Sequence, residues 1–305
     1  MMPHSKSTIH SSNGLGTADD TQLAEPLGLA NAMAEDKLMN QFMRDFTFKV
    51  ASTPEEVEKA LSLRHEVFIQ EIGYKMTEKG IDNKKLESDE YDKSAVHCIL
   101  VQKSTGKTAG CFRIVTTRTP EHEGGYRKLP VEEHGNGGIS HPTLHPSMLP
   151  RDHICEASRL AISKSFRVKS KNTGPQDCSH EPQEAEREPE EPHPLILVSL
   201  FLAAYSLAET LGHRHLYAMM APTLPRLLKK SGFEFIRLGG TIDFHGKRNV
   251  FYINRSLAVS GMQHTLYPLH HYIYQELEAQ VAEHSIHDKS LMLFDGEPKL
   301  SSGPG

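Results

Sequence analysis

The chain has 305 residues, and its 34 lysines and arginines stand against 39 acidic residues, a formal net charge of −5. Hydrophobic residues make up 37% of it, below the roughly 45–50% of an average globular protein, so we expect polar tails or inserts around an ordinary core. Sequence-independent nucleic-acid binding depends on an excess of Lys and Arg. The acidic balance therefore predicts no nucleic-acid partner.

Three polar regions flank or interrupt the core. Residues 1–44 are rich in Ser, Asn, Ala and acidic residues, and we interpret them as a disordered leader. Residues 168–194 hold three basic residues, seven acidic residues and many prolines; because such a segment cannot bury enough apolar surface to offset its ordering entropy, we predict a disordered insert. Residues 287–305 are interpreted as a C-terminal tail. One domain remains over residues 45–286.

Between these regions, hydrophobic periodicity predicts a mixture of strands and helices. Thr53 and Pro54 are typical of a helix start, and Gly212 is typical of a helix end. In chain order, the predicted strands are 46–51, 95–102, 108–116, 153–162, 214–220, 233–238 and 249–254, and the predicted helices are 53–70, 194–211, 222–231 and 267–282. This order predicts an α/β sheet of mainly antiparallel strands, with one parallel step from the strand at Ile154 to the strand at Met220. Ligands of open α/β sheets tend to sit where neighbouring strands part.

The cysteines and the apolar stretches exclude several classes of protein. Four cysteines, Cys98, Cys111, Cys155 and Cys178, have no CxxC spacing, which disfavours a disulfide scaffold or a zinc site and favours buried thiols in a reducing compartment. The most apolar stretch covers 14 residues, 195–208, whereas a membrane-spanning helix needs about 20. We therefore expect no bound metal, no membrane span and a cytoplasmic location.

Charged residues inside apolar strands are the most informative feature. Arg113 lies in the strand CFRIV, and Glu156 and Arg159 lie in ICEASRLAI. Such charges are costly unless they are paired, which predicts an internal ion-pair network with Asp89 and Asp92. Glu156 and Arg159 would point to opposite faces of a regular strand, but a β-bulge could bring them together. Two interpretations stay open: a network that anchors a loop to the sheet, and a catalytic site.

Four motifs then carry a resemblance to a known family. They are RHEVF from residue 64, LESDEYD from 86, GCFR from 110 and CEASRLAISKSFR from 155. Over residues 46–256 the chain resembles acyl-homoserine-lactone synthases, N-acyl amino acid synthases and the acyltransferases associated with PEP-CTERM/exosortase systems, all members of the GNAT acyltransferase superfamily. The resemblance implies a GNAT-like (acyl-CoA N-acyltransferase) fold, a mixed, mainly antiparallel sheet flanked by helices.

Two departures from the family bear on the substrates. The lactone synthases carry Trp where this chain has Tyr74, and the chain has no Trp at all. Where CoA-using members place a glycine-rich pyrophosphate loop, this chain has the acidic insert after Arg167. The missing loop favours an acyl carrier protein over CoA as the acyl donor. The wording of the fourth motif is most similar to the N-acyl amino acid and exosortase-associated branch.

The resemblance implies transfer of a fatty acyl group from an acyl-carrier-protein or CoA thioester to the amine of an amino acid or a similar small acceptor, without a covalent acyl-enzyme or a bound cofactor. A carboxylate is useful to take the amine proton, and the oxyanion needs a donor. The implied catalytic residues are Glu156 as base or amine anchor, Glu87 as the second candidate and Arg159. The implied substrate-binding residues are Arg64, which ties the substrate loop to the acidic motif, Phe68 and Tyr74, which line a pocket, and Asp89, Asp92 and Arg113.

A basic run follows the fourth motif and consists of Lys164, Arg167, Lys169 and Lys171. Carrier proteins are acidic, so complementary charge predicts that this run docks an acyl carrier protein. The alternative is a solvated strand end without a partner.

Two other functions stay open at this point. One is synthesis of an acyl-homoserine-lactone autoinducer, with S-adenosylmethionine as the acceptor. The other is a non-catalytic module that senses acyl carrier or lipid. The full set of acidic and arginine residues argues against the non-catalytic module, because a chain that had lost catalysis would be free to lose these costly charges. The acyl chain length, the acceptor and the oligomeric state are not predicted.

Overall fold

A computed structural model describes residues 24–74, 85–118, 126–135, 137–167 and 193–287. The helices are α1 Ala24–Asp45, α2 Pro54–Arg64, α3 Pro130–His134, α4 Ile196–Thr210, α5 Leu224–Lys229, α6 Arg255–Ser260 and α7 Tyr267–His287, and a π-helical segment, His65–Glu71, continues α2. The strands are β1 Phe46–Val50, β2 Ala95–Gln102, β3 Thr108–Thr116, β4 Ile154–Ile162, β5 His215–Met220, β6 Ile236–Arg237, β7 Ile242–Asp243 and β8 Lys247–Asn254.

The strands form one eight-stranded sheet in the order β1-β2-β3-β4-β5-β8-β6, with β7 paired to β8. Every pairing is antiparallel except β4 with β5. This parallel pairing covers three residues and ends with Glu156 opposite Tyr217. Beyond it the two strands part, because β4 continues along β3 and β5 continues along β8. The predicted fold class, a mixed, mainly antiparallel sheet flanked by helices with one parallel step, is confirmed.

The local sequence accounts for the element boundaries near the site. The Thr53 side chain accepts a hydrogen bond from the Glu56 amide, and Pro54 is the first residue of α2, which is the arrangement of a capped helix start. A Cβ atom on Gly110 would lie 2.8 Å from a Leu200 methyl group. Gly110 of the GCFR motif therefore allows α4 to pack directly onto β3.

The core has a layer on each face of the sheet. On one face, α4 and α7 pack against β1 to β4, and Phe48, Phe112, Leu200 and Leu269 are fully buried there. On the other face, α2 packs against β2 to β4 through Ala60, Leu63 and Val67, which meet Ile99, Cys111 and Ala161. This second face also carries the charged side chains of the strands.

The predicted disordered leader is wrong for its second half, because α1 runs from Ala24 to Asp45. Met39 and Phe42 of this helix are buried, and the Phe42 ring stacks on Phe46 at a centroid distance of 5.1 Å. Residues 1–23, the tail beyond 287 and residues 168–192 of the predicted insert lie outside the described residues. At the end of that insert, His193 is buried against Phe42 and Phe46.

Two further boundaries differ from the prediction. The helix predicted to end at residue 70 changes to π-helical geometry after Arg64. The strand predicted over 233–238 is reduced to Ile236–Arg237. At its start the Phe233 amide donates to the Leu228 carbonyl at the end of α5, and at its end the Leu238 carbonyl accepts the amides of Ser140 and His141. Among the described residues, no helix combines the length and apolarity needed to cross a bilayer.

Candidate functional site

Six charged side chains form an ion-pair cluster on the face of the sheet that carries α2: Arg64, Arg113, Arg159, Glu87, Asp89 and Asp92. Arg64, at the end of α2, is 1% exposed. Its Nε donates to Glu87 at 2.5 Å, and its two Nη atoms donate to the Asp92 carboxylate at 2.6 and 3.1 Å. Arg64 thus ties the end of helix α2 to the acidic motif.

Arg113 lies at the centre of the cluster, in the middle of β3. Its Nη atoms donate to Asp89 at 2.6 and 2.8 Å and to Asp92 at 2.5 Å. Its Nε donates to the Ser158 hydroxyl at 3.0 Å. The predicted pairing of strand arginines with Asp89 and Asp92 is confirmed, and Arg113 itself is 1% exposed.

Arg159 reaches the same carboxylates through a bulge in β4. The register between β3 and β4 shifts near Arg113, and Arg159 has a positive φ of 55°, so the predicted β-bulge is present. Arg159 donates to Glu87 at 3.0 Å and to Asp89 at 2.8 Å. The bulge therefore joins Arg159 to the acidic motif, and Glu156 makes no direct hydrogen bond with it in the described part of the chain.

Three guanidinium groups and three carboxylates in this cluster balance each other. Burial alone would raise the pKa of Asp92, but Arg113 and Arg64 outweigh it and hold that pKa well below its usual range. Burial opposes ionisation of Asp89 as well, and hydrogen bonding and charge from Arg113 lower its pKa. His97, whose Nε2 lies 3.6 Å from Asp92, has its pKa lowered to about 4 by burial. Asp89 and Asp92 are thus ionised, and the His97 imidazole is neutral, at neutral pH.

Glu156 is chemically different from the cluster. It is 2% exposed, and its Oε2 accepts the amide of Val131, the second residue of α3, at 2.6 Å. Its Oε1 makes no hydrogen bond within the described residues. Burial raises the pKa of Glu156 to about 8, although the Val131 amide and nearby arginines favour the charged form. A carboxyl group with this pKa can exchange a proton near neutral pH.

The position of Glu156 in the sheet connects it with an apolar slot on the opposite face. Glu156 is the last residue of β4 paired with β5, and Ala157 points to the face that carries α4. The apolar slot is lined by Ala157, Phe201, Tyr205, Leu216, Ala218, Phe233, Phe235, Phe251 and Ile253. Its empty space is about 360 Å³, of which about 20 Å³ has room for the centre of a water molecule. The slot is narrow, apolar and adjacent to the parting of the strands.

Aromatic rings stack beside the cluster. Phe68, on the π-helical segment, stacks on Tyr74 at 5.5 Å, and Tyr74 stacks on His245 at 4.4 Å. The Arg159 guanidinium lies 6.0 Å from the Phe68 ring centre. Arg248 donates to the Tyr74 hydroxyl at 2.5 Å. Phe68 and Tyr74 therefore lie beside the cluster; that they line a substrate pocket stays a prediction.

His245 and Arg248 are site residues that the sequence did not predict. Both belong to the β7–β8 hairpin, in a segment between the predicted strands 233–238 and 249–254 for which no element was predicted. His245 has a positive φ of 50°, a conformation that a non-glycine residue rarely adopts and that often marks a functional position. No feature of the sequence pattern predicts that His245 adopts a left-handed backbone conformation.

The basic run is only partly present among the described residues. Lys164 is exposed. Arg167 binds the Glu71 carboxylate with two hydrogen bonds of 2.6 and 3.0 Å and donates to the Ile162 carbonyl at 2.8 Å. Arg167 is therefore a partner of the π-helical segment and less available as a free cation than predicted. Lys169 and Lys171 lie outside the described residues.

The central region of the chain matches one family of known proteins. Residues 63–173 match the acetyltransferase (GNAT) domain family. The matched region begins at the end of α2 and continues past the end of β4, so it contains all six members of the ion-pair cluster and Glu156. A comparison with curated protein sequences finds no match.

Several solved structures are similar to the chain at low identity. TofI, in a ternary complex with an inhibitor and MTA, is 18% identical, with 71% of this chain and 95% of TofI covered and a TM-score of 0.48. The CoA-dependent acyl-homoserine lactone synthase BjaI, with SAM and isopentyl-CoA, is 18% identical, with 75% and 89% covered and a TM-score of 0.48. FeeM, an N-acyl amino acid synthase from uncultured soil microbes, is 13% identical, with 71% and 96% covered and a TM-score of 0.40.

The domain match and the sheet topology agree with each other. The matched region holds β2, β3 and β4, and β4 forms the parallel pair that parts beside Glu156. Residues 63–173 of the chain therefore match an acetyltransferase (GNAT) domain, and the mixed, mainly antiparallel sheet that contains them is consistent with a GNAT-like fold.

Proposed function

We propose that the chain is an N-acyltransferase that moves a fatty acyl group from the thioester of an acyl carrier protein, or of CoA, to the amine of an amino acid or a similar acceptor. The observation that carries this proposal is Glu156, a buried carboxyl group with a pKa near 8 at the point where β4 and β5 part. The slot on the other side of that gap is lined by apolar side chains, and these would have to move apart to admit an acyl chain.

The proposed reaction needs no covalent enzyme intermediate. The neutral amine nitrogen attacks the thioester carbonyl carbon, and a C–N bond forms as the C–S bond breaks. The amine gives one proton to Glu156, directly or through a water molecule, and this proton then passes to the leaving thiolate. The products are an amide and the free thiol of the donor. The second oxygen of Glu156, which is free of hydrogen bonds within the described chain, is the one that would accept the proton.

The developing oxyanion requires hydrogen-bond donors at the same place. Past Glu156, the edge of β4 that faces β5 has no strand partner in the described part of the chain, so its backbone groups are available to a ligand. Backbone N–H groups that are held in place before the reaction stabilise an oxyanion strongly in a water-poor site. The parting of the strands would thus provide the oxyanion donor, as Glu156 provides the base.

The ion-pair cluster would hold the acidic motif in place beside Glu156. Arg113 is buried and bonds to Asp89, Asp92 and Ser158, so it positions the acidic motif and is poorly placed to bind an acceptor carboxylate. Arg159 is more accessible, with its side chain 24% exposed, and is the better candidate for contact with the acceptor. Phe68 and Tyr74 would form the wall of the acceptor pocket.

Mass spectrometry of a reconstituted reaction tests the proposal. The protein is incubated with a donor, either acyl-carrier thioester or acyl-CoA, together with an acceptor. The acceptor is a pool of amino acids in one reaction and S-adenosylmethionine in another. N-acyl amino acids that form with wild type and are lost with Glu156→Gln would support it. An acyl-homoserine lactone formed from S-adenosylmethionine would assign the autoinducer-synthase function, and carrier binding without any product would assign a non-catalytic module.

The pH dependence of transfer should follow Glu156. Only the ionised carboxylate accepts a proton, so we expect kcat to rise with pH and to level off above about 8. The measurement is single-turnover transfer from pH 6 to 10 with two acceptors whose amines differ in pKa. The inflection should stay in place for both acceptors and should disappear in Glu156→Gln. An inflection that moves with the amine would contradict the assignment.

Carrier docking should depend on Lys164. Lys164→Glu is expected to raise KM for the acyl-carrier thioester roughly tenfold at low salt, with kcat little changed, because a rim charge mainly affects encounter. Acyl-pantetheine, which lacks the carrier protein, should be used equally well by variant and wild type. Lys49→Glu, an exposed lysine on the distant strand β1, is the control. An equal rise in KM for both donors would exclude docking at Lys164.

A further inference from the structure

The apolar slot has an open end, where β4 and β5 part, and a closed end, where these two strands are paired. Ala157 and Ala218, at the open end, come directly after the last paired residues of β4 and β5. Leu216 and Ile253 lie opposite each other further along, where β5 and β8 pair next to the start of β4. An acyl chain that enters where the strands part would therefore run along α4 toward the closed end of the slot.

A polar groove lies beyond the closed end of the slot. It is lined by His153, Glu209, His213, Arg214, His215 and Arg255, among others. Tyr205 of α4 lines the slot and the groove, and no other lining residue is common to both. One side chain thus separates an apolar space from a polar one.

The chemistry of Tyr205 suits this position. The residue is 7% exposed, and burial raises the pKa of its hydroxyl group, which therefore stays neutral. The Glu209 carboxylate, one helical turn further along α4, also raises this pKa, and Glu209 is held by Arg255 at 2.9 Å. A tyrosine with its apolar ring against the slot and charged groups near its hydroxyl can form a boundary of this kind.

We propose that Tyr205 is the end stop of the apolar slot and determines the longest acyl chain that the protein accepts. This inference rests on the proposed acyl transfer and adds the residue that sets its chain-length specificity. Removing the ring would join the slot to the groove, so that longer chains could extend past α4. For acyl chains that end before Tyr205, removing the ring should not raise kcat/KM.

A chain-length series tests the end stop. Wild type, Tyr205→Ala and Tyr205→Phe are assayed with saturated acyl thioesters from four to sixteen carbons. For chains longer than the wild-type limit, Tyr205→Ala should raise kcat/KM relative to short chains by about tenfold for the first two methylenes that the wild type excludes, because the space of the removed ring buries them and the polar groove beyond it does not. Tyr205→Phe keeps the ring and should keep the wild-type profile. A merely structural role would lower kcat/KM for every chain length by a similar factor.

A second measurement keeps the inference separate from the reaction. Free fatty acids of the same lengths are added to each protein, and the shift in Tm is recorded. The longest fatty acid that stabilises the protein should be longer for Tyr205→Ala, or for Tyr205→Leu if the alanine variant does not fold, than for wild type. Identical length profiles in both measurements would overturn the end stop. If wild type forms no amide with any donor, the proposed function fails, and the fatty-acid profile still decides the role of Tyr205.

Discussion

Glu156→Gln is expected to lower kcat for acyl transfer by about 10²–10⁴-fold, the range that a general base typically contributes. The amide oxygen of Gln can still accept the hydrogen bond from Val131, so the local structure should persist, but the side chain can no longer take a proton from the amine. Because the reacting groups keep their places, KM for the donor should change little. Single-turnover transfer, followed by mass spectrometry, gives both parameters.

Stability measurements on the same variant provide an independent check. The pKa of Glu156 is raised in the folded protein to about 8, above the value of about 4.3 for an unperturbed Glu. The buried carboxyl group therefore contributes stability that is complete below pH 4 and is lost as the pH rises through 8. Glu156→Gln should be free of this loss, so its Tm relative to wild type should increase between pH 6 and pH 9.

Glu87→Gln is the matched comparison, because Glu87 is the second candidate for the base. Glu87 binds Arg64 at 2.5 Å and Arg159 at 3.0 Å, so its replacement should reduce stability and activity together. If Glu156→Gln keeps the wild-type kcat and Glu87→Gln loses activity without losing stability, then Glu87 is the base.

The sheet and the cluster could be predicted because their signals are local. Strands β2 and β3 are largely apolar, buried runs on either side of a turn, and an arginine inside an apolar strand needs a partner in any fold. Arg113 and Asp92 therefore pair as predicted. The carboxylates that Arg159 reaches depend on the bulge in β4, and the pattern of apolar residues in a strand does not specify a bulge.

The remaining features depend on contacts between distant parts of the chain. Phe42 becomes buried because Phe46 and His193 lie beside it in the folded protein, and α1 reads as a polar leader without those neighbours. Arg167 meets Glu71 across a sequence separation of 96 residues. The slot likewise depends on where β4 and β5 part, so Tyr205 cannot be recognised as its boundary from a helix that is apolar almost all round.

Arg64→Met should lower the free energy of unfolding by about 3–5 kcal/mol, the usual cost of removing one partner from a buried ion pair. Glu87 and Asp92 would then stay buried with less positive charge to balance them. Urea unfolding at pH 7 measures the change. Arg118→Met is the control, because Arg118 pairs with Asp152 at 2.7 Å while its side chain is 68% exposed, and such surface pairs contribute about 1 kcal/mol or less.

The contrast between Arg64 and Glu156 decides between the two interpretations of the charged strands. The pKa of Asp92 is lowered in the folded protein, so the cluster contributes stability above the usual pKa of Asp, and this stability is lost only as the pH falls through the lowered value. Arg64→Met should shift that acid limb to higher pH. If the cluster anchors the acidic motif and Glu156 performs the chemistry, one variant loses stability and the other loses kcat. A cost below 1 kcal/mol for Arg64→Met would show that the cluster is not an anchor.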